Sequence, residues 1–382
     1  MISQQKEVIT DVIALIRQFV ECESPSDDPA AVNRFVDLFA ESVKDIARVK
    51  TFPGGKGYGK HVMCEFMLPG AKKSGQIASG QIMALGHSDT VWPLGTLRTM
   101  PFRQAQGRLW GPGVFDMKAG LALFIFAMRE LRERDLPIAR KVVLQVNSDE
   151  EIGSPSSRTL TEKTARASNA VLVLEPSQGL EGSVKTSRKG VGDYTVNVKG
   201  RAAHAGLDFT SGASAIVEMA RQIERIAAFT RLDRGITVSP GVIHGGTRGN
   251  VVAAKCMTKI DVRFPKARDA RYLERQFASL KPFDKRCSVE VTGGMNRPPL
   301  ERSAGVRALY RKAKALAAEL GVELPEAAAG GGSDGNFTGA LGVPTLDGLG
   351  AVGEGAHAAN ESILIHRMED RIALLKMLVA SL

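Results

Sequence analysis

Five short stretches of this chain place metal-binding residue types where apolar runs stop. The first, Gly86-His87-Ser88-Asp89-Thr90, closes the run Ile82-Met83-Ala84-Leu85. Side chains two apart on a strand share a face, so Asp89 can reach the ring of His87. A carboxylate behind a histidine fixes its tautomer and raises its basicity as a ligand, although an ordinary strand-end histidine would look the same. The second, Gly111-Pro112-Gly113-Val114-Phe115-Asp116-Met117-Lys118, sets Asp116 ahead of a helical pattern, where N-capping is the commonest reason for an aspartate. The third, Asn147-Ser148-Asp149-Glu150-Glu151-Ile152-Gly153, follows a buried-strand pattern. Adjacent Glu150 and Glu151 point in different directions, so one can bind metal while the other faces a substrate. Ligand sites of open α/β sheets lie at such carboxyl strand ends. The fourth is Glu175, after Val171-Leu172-Val173-Leu174, and the fifth is His357 in Gly353-Glu354-Gly355-Ala356-His357.

Each stretch is weak alone, and together they are specific. His87, Asp116, Glu151, Glu175 and His357 offer nitrogen and oxygen donors and no sulfur. Such a set suits two hard-to-borderline divalent ions, Zn²⁺ by preference, with Co²⁺ or Mn²⁺ as substitutes. A carboxylate such as Asp116 can bridge two ions ~3.5–4 Å apart, and water held there has its pKa lowered toward ~7. Glu150 is the carboxylate placed to take its proton. The remaining histidines His61, His244 and His366 match no ligand pattern and read as structural.

The elements that must position these residues follow from periodicity. Helical patterns cover 4–20 and 29–48, and extended runs occupy 61–68 and 81–86. A helix is expected over 117–133, with buried strands at 141–147 and 170–175. Val- and Leu-rich strands alternating with helices predict an α/β domain around a covered central mixed sheet. The middle of the chain reads as strand 191–199, helix 211–229, strands 236–244 and 251–264, helix 268–280 and strand 287–292. That β-α-β-β-α-β order is ferredoxin-like. The expected architecture is a catalytic domain of residues 1–186 and 296–382 interrupted by a small domain at 187–295. The Gly/Lys-rich stretches 53–60 and 70–80 read as surface turns, and 371–382 as a closing helix.

Bulk composition excludes several classes. A length of 382 residues exceeds one ordinary core. With 43% hydrophobic and 24% charged residues, the composition is that of a soluble globular protein. No run approaches the ~18 apolar residues of a membrane helix. The first twenty residues read as an amphipathic helix, not a signal peptide, so the cytoplasm is the expected address. Cys22, Cys64, Cys256 and Cys287 are too scattered for a zinc ribbon or a disulfide framework. The net charge of +10 is spread along a chain with only 5% aromatics, which argues against a nucleic-acid module.

The stretches GHSDT, GPGVFDMKAGLA, NSDEEIGS, LEPS, KGRAAHAG, GNVVAA, DVRF, GGGSDGN and GEGAHAANE run in order from about residue 80 to 365. This series resembles the motif set of the zinc metallopeptidases that include glutamate carboxypeptidase (carboxypeptidase G type), the aminoacylases and related di- and tripeptidases. The resemblance implies that His87 and Glu175 hold one zinc, Glu151 and His357 the other, and that Asp116 bridges them. Glu150 would be the general base and Asp89 the residue that orients His87. The inserted domain would act as lid and homodimerisation surface, with His204 reaching the partner's active site to polarise the scissile carbonyl. Asn250 and Arg263 would bind the substrate's carbonyl region and carboxylate, and loop 330–334, with Gly332 and Ser333, would offer backbone amides. Lys185, with Arg188 and Lys189, would suit an acidic leaving residue. Two departures stand out. Met117 stands where many relatives carry a second acidic residue. Glu175 stands where some aminopeptidase relatives have aspartate.

The expected activity is hydrolysis of an amide joining an acyl or peptidyl group to an amino acid with a free carboxylate. The alternatives are a biosynthetic deacetylase or desuccinylase, a dipeptidase needing a free amine, and, least favoured, a silent binding paralogue. The expected partners are a small N-acyl amino acid or short peptide and a second copy of the chain, with no nucleic acid and no membrane.

Overall fold

The computed structural model describes residues 2–68, 79–136 and 138–382; most of the expected turn at 70–80 lies outside them. The chain divides into two compact units. One comprises Met1–Ser187, Glu301–Ala329 and Ser333–Leu382, and the other Arg188–Leu300 with Gly330–Gly332.

The first unit opens with α1 (Ile2–Glu21) and α2 (Pro29–Val43). Asp28 caps α2 by accepting from Ala31 N at 2.9 Å, and Pro29 takes the first helical position. The helix expected to run to 48 stops at Val43, and β1 (Ala47–Phe52) begins instead. Val43, Ile46 and Val49 continue a helical spacing, but this segment pairs antiparallel with β2 (His61–Phe66) as the outermost strand. Next come β3 (Gln81–His87), β4 (Arg103–Ala105), β5 (Arg108–Trp110) and α3 (Ala119–Glu133). They are followed by β6 (Lys141–Asn147), α4 (Arg158–Arg166), β7 (Ser168–Val173) and β8 (Val184–Arg188).

The second unit contains β9 (Gly190–Lys199), α5 (Ala215–Ala227), β10 (Thr237–Gly245), β11 (Lys255–Phe264), α6 (Ala267–Ala278) and β12 (Ser288–Arg297). Its sheet has the order β10-β11-β9-β12 with every neighbour antiparallel, the ferredoxin-like arrangement. Ser214 caps α5 by accepting from Val217 N, so the helix starts four residues later than its periodicity suggested. Tyr194, Phe229, Phe264 and Phe277 anchor this unit's own core.

The chain then completes the first unit with α7 (Ala304–Glu319), β13 (Glu326–Ala329), α8 (Gly335–Ala340), β14 (Thr345–Leu346), β15 (Gly353–Glu354), β16 (Ser362–Leu364) and α9 (Met368–Ser381). The main sheet runs β1-β2-β6-β3-β7-β14 and is mixed: β6, β3, β7 and β14 are parallel, while β1 and β2 are antiparallel additions. Strands β3, β6 and β7 are buried along nearly their whole length, which is why they read as continuous apolar runs rather than alternating ones. Helix α3 packs close beneath them. At Gly120 a Cβ would lie 2.2 Å from Leu174 O, so only glycine permits this approach.

Candidate metal centre

The parallel pairing of β6, β3 and β7 sets three carboxyl strand ends side by side. His87 ends β3, the 148–153 turn carrying Glu150 and Glu151 follows β6, and Glu175 lies two residues beyond β7. Donor atoms of His87, Glu150 and Glu175 lie within 4.8 Å of one another, as do those of His87, Asp116 and Glu151. His87 Nε2 is 3.5 Å from Glu175 Oε1.

Asp116 and His357 arrive from a second, small sheet of order β15-β16-β5-β4. Strand β5 leads into the loop carrying Asp116, and β15 and β16 bracket the turn carrying His357. Asp116 caps no helix. Its backbone is extended (φ −115°, ψ 94°), α3 begins three residues later, and the Asp116–Met117 peptide bond is cis. The Asp116 carboxylate spans two imidazoles, with Oδ1 3.2 Å from His87 Nε2 and Oδ2 3.4 Å from His357 Nε2. His357 Nε2 is also 3.1 Å from Glu151 Oε1. The thioether of buried Met117 accepts from His87 N at 3.4 Å.

Asp89 does something its spacing did not reveal. The ring Nδ1 of His87 donates to the backbone carbonyl of Asp89 at 2.9 Å, and the Asp89 carboxylate stands off at 3.5 Å. That carboxylate accepts instead from Glu150 N (3.2 Å), Glu151 N (3.1 Å) and Ser26 Oγ (2.8 Å). One buried residue thus orients the first imidazole and holds the turn of the two glutamates. His61 braces the same turn from behind. Its Nδ1 accepts from Ser148 N at 3.2 Å, and its Nε2 lies 3.1 Å from Ser156 Oγ, which donates to Asp149. His244 and His366 are exposed.

The electrostatics call for positive charge here. Burial opposes the charged form of His87, but its close contacts with the carboxylates of Asp116, Asp89 and Glu175 outweigh it and raise its pKa well above the ordinary value. Contacts with Asp116 and Glu151 raise His357 to about 10. Burial pushes Asp116 up, but His357 and His87 outweigh burial and hold it low, while burial pushes Glu151 up to about 7. Both imidazoles are therefore biased toward their charged form. A nitrogen-and-oxygen donor set clustered this tightly, with one carboxylate shared between two histidines, fits a pair of divalent ions.

Residues 83–381 match the family described as peptidase family M20/M25/M40. The chain belongs to this family. It is 26% identical over 354 residues to carboxypeptidase G2 of Pseudomonas sp. (strain RS-16), covering 91% of this chain and 83% of that one. It is 28% identical over 320 residues to a succinyl-diaminopimelate desuccinylase of Cereibacter sphaeroides (strain ATCC 17025 / ATH 2.4.3), covering 77% and 81%. Among solved structures, the aminopeptidase PepT from Bacillus cereus ATCC 10987 superposes with a TM-score of 0.79 over 98% of both chains at 21% identity, a likeness of fold. As a member of the M20/M25/M40 peptidases, the chain is a metal-dependent hydrolase of peptides or acyl amino acids.

The residues expected to meet substrate in this M20-family chain are divided between the two units. His204 is exposed in the second unit, where its Nδ1 accepts from Gly206 N (3.1 Å) and Leu207 N (3.2 Å). The proton therefore sits on Nε2. Exposed Asn250 adjoins it through Ala205 N, which donates to Asn250 O at 3.0 Å. Arg263 clamps Asp261 on the same face of β11, Nε and Nη2 donating at 2.7–3.0 Å. The basic residues around 185 belong partly to the interior. Lys185 and Arg188 are buried, and Arg188 donates to the carbonyls of Gly331 and Gly332 at 3.3 and 3.1 Å. Arg297 and Val191 pack where a side chain on Gly332 would go. Ser333 is occupied within the first unit: its hydroxyl donates to Asp347 at 2.6 Å and its N–H to Asn336 Oδ1 at 3.0 Å.

Proposed function

We propose that this hydrolase cleaves the amide bond between an acyl or peptidyl group and an amino acid with a free carboxylate. In this reading His87 and Glu175 would hold one zinc ion and Glu151 and His357 another, with Asp116 shared between them. The observation that carries it is the single carboxylate of Asp116 facing both imidazoles, with Glu151 and Glu175 beside them. Bound there, the ions would acidify the attacking water toward ~7 and polarise the scissile carbonyl. Glu150 would take the attacking water's proton and deliver it to the leaving amine. Asp89 holds the turn that carries Glu150 and Glu151 by accepting from both backbone N–H groups. His204, with its proton on Nε2, is in the form that donates to a developing oxyanion. Arg263 and Asn250 would anchor the amino acid's carboxylate, for which a guanidinium offers bidentate geometry.

Glu150 is close enough to His87 and Glu175 to be a ligand itself, so the decisive variant is Glu150→Gln. Metal content and hydrolysis of N-acyl amino acids and dipeptides are measured together. Turnover that needs metal and collapses in Glu150→Gln, with both ions retained, supports the reading. Loss of an ion makes Glu150 a ligand, and a metal-loaded wild type inert on every substrate rejects the proposed activity.

The 28% identity to a desuccinylase favours one second reading, a biosynthetic deacylase. A requirement for a blocked amine supports either of these, and a requirement for a free amine points to a dipeptidase. We also propose a homodimer through the second unit and a cytoplasmic address. Exposed Val242 and Ile243 on edge strand β10, with Ile216 and Val217 on α5, support the dimer. Sedimentation as a monomer at micromolar concentration would reject it. Among the described residues no helix is long and apolar enough to cross a membrane.

A further inference from the structure

The motif that supplies His357 ends in a glutamate the reaction does not use. Glu361 is completely buried in the first unit, where its charge also acts on the buried Lys118 ammonium. Its carboxylate is saturated by four donors. Oε1 accepts from Phe115 N at 2.9 Å and Asp116 N at 3.0 Å, and Oε2 accepts from Gly113 N at 2.9 Å and Trp92 Nε1 at 2.7 Å. A carboxylate has about four lone-pair sites, and all point to N–H groups here. Three of these donors are backbone groups of the loop that presents Asp116, including the amide of Asp116 itself.

Glu361 belongs to the other side of the site. It closes the turn that carries His357: Ala358 N donates to Gly355 O and Glu361 N to Ala358 O, both at 2.9 Å. Residue 362 then starts β16, whose pairing with β5 places the two loops at the same end of the small sheet. The sheet is only two or three residues deep here, so strand pairing leaves the loop tips undetermined. The carboxylate joins them directly, and it does so with backbone bonds that fix the direction in which the Asp116 side chain leaves the chain.

We infer that Glu361 is the positioning residue of the bridging ligand, locking the Asp116 loop to the His357 turn so that one carboxylate can serve both imidazoles. This rests on the reading of Asp116 and His357 as metal ligands. Outer partners of metal ligands typically contribute 10–100-fold in metal affinity. An amide at this position would turn an NH₂ group against N–H donors, so Glu361→Gln breaks the clamp while keeping the side chain's volume.

The test is calorimetric titration of the metal-free full chain with zinc, read beside its thermal unfolding without metal. Glu361→Gln should weaken zinc binding about 10–100-fold for at least one ion. As a control, Tyr310→Phe removes the buried bond from Tyr310 Oη to Leu324 O (3.0 Å), lowering the melting temperature with zinc affinity unchanged. Wild-type affinity for both ions in Glu361→Gln overturns the inference, whatever happens to stability. If that variant does not fold, Glu361→Asp keeps the charge but withdraws it by one methylene, and carries the same expectation and the same refutation. Failure of the wild type to bind zinc rejects the metal reading itself, a separate outcome.

Discussion

Zinc should enter this site only by expelling protons, and their number follows from the structure. Coordination requires neutral imidazoles and ionised carboxylates. The contacts of His87 with Asp116, Asp89 and Glu175 override burial and keep it protonated well above its ordinary range, and His357 is raised to about 10. Glu151, pushed by burial to about 7, is half protonated at neutral pH. Loading should therefore release at least about two protons per chain at pH 7, one from each imidazole, with Glu151 and the water held between the ions, its pKa lowered toward ~7, adding to the count. The perturbation is zinc added to chelator-treated protein. The assay is titration calorimetry in buffers of differing ionisation enthalpy, where the slope of observed heat against buffer enthalpy counts protons. Overall affinity should rise by roughly a hundredfold per pH unit while both imidazoles stay protonated. A slope of zero at pH 8 would refute the reasoning, because it would mean neutral histidines or ligands elsewhere. The same shifts carry a stability signature. His357 is raised in the folded state, so its contribution is complete below its ordinary 6.5 and disappears as pH climbs through about 10. Raised Glu151 acts in the same sense, its contribution complete below 4.5 and lost through about 7. Asp116, lowered, contributes above its ordinary 3.8 and loses that contribution as pH falls through its folded value. Metal-free protein should lose stability of this origin between about pH 4.5 and 10, first through Glu151 and then through His357.

Asp89→Ala leaves the N–H groups of Glu150 and Glu151 and the hydroxyl of Ser26 without their acceptor. At ~1–3 kcal/mol per buried unpaired group, partly relieved by water, a loss of about 2–4 kcal/mol is expected in urea unfolding with chelator present. Less than about 0.5 kcal/mol would contradict the placement. Gly120→Ala drives a methyl against Leu174 O, beside Glu175. It should cost about 1–3 kcal/mol and weaken zinc binding together, so a stability loss without any change in zinc affinity would uncouple α3 from the ligand. Arg263→Gln should raise KM about 10–100-fold with kcat little changed, the loss of a charge-assisted carboxylate contact. An unchanged KM would leave Arg263 as nothing more than the partner of Asp261.

How much of this was legible before folding differs from residue to residue. Strands β3, β6 and β7 could be read directly because a strand covered on both faces must be apolar throughout. A polar residue at the end of such a run marks the sheet edge where ligands bind, so His87, Glu150, Glu151 and Glu175 declared themselves by type and place. The ferredoxin-like order of the second unit was equally plain from alternating patterns. Strand β1 was not, since its apolar spacing imitates the helix before it. Strands β4, β5, β15 and β16 are two or three residues long, too short for any periodicity, yet they bring Asp116 and His357 together across more than two hundred residues of chain. The hold of Asp89 on the glutamate turn and that of Glu361 on the Asp116 loop were invisible for a related reason: most of their partners are backbone N–H groups, which every residue but proline possesses and no residue type announces. Residue identity determined which side chains were chemically able to hold metal. Only the tertiary structure decided how they are aimed, because aim is set by peptide groups that long-range pairing brings within reach.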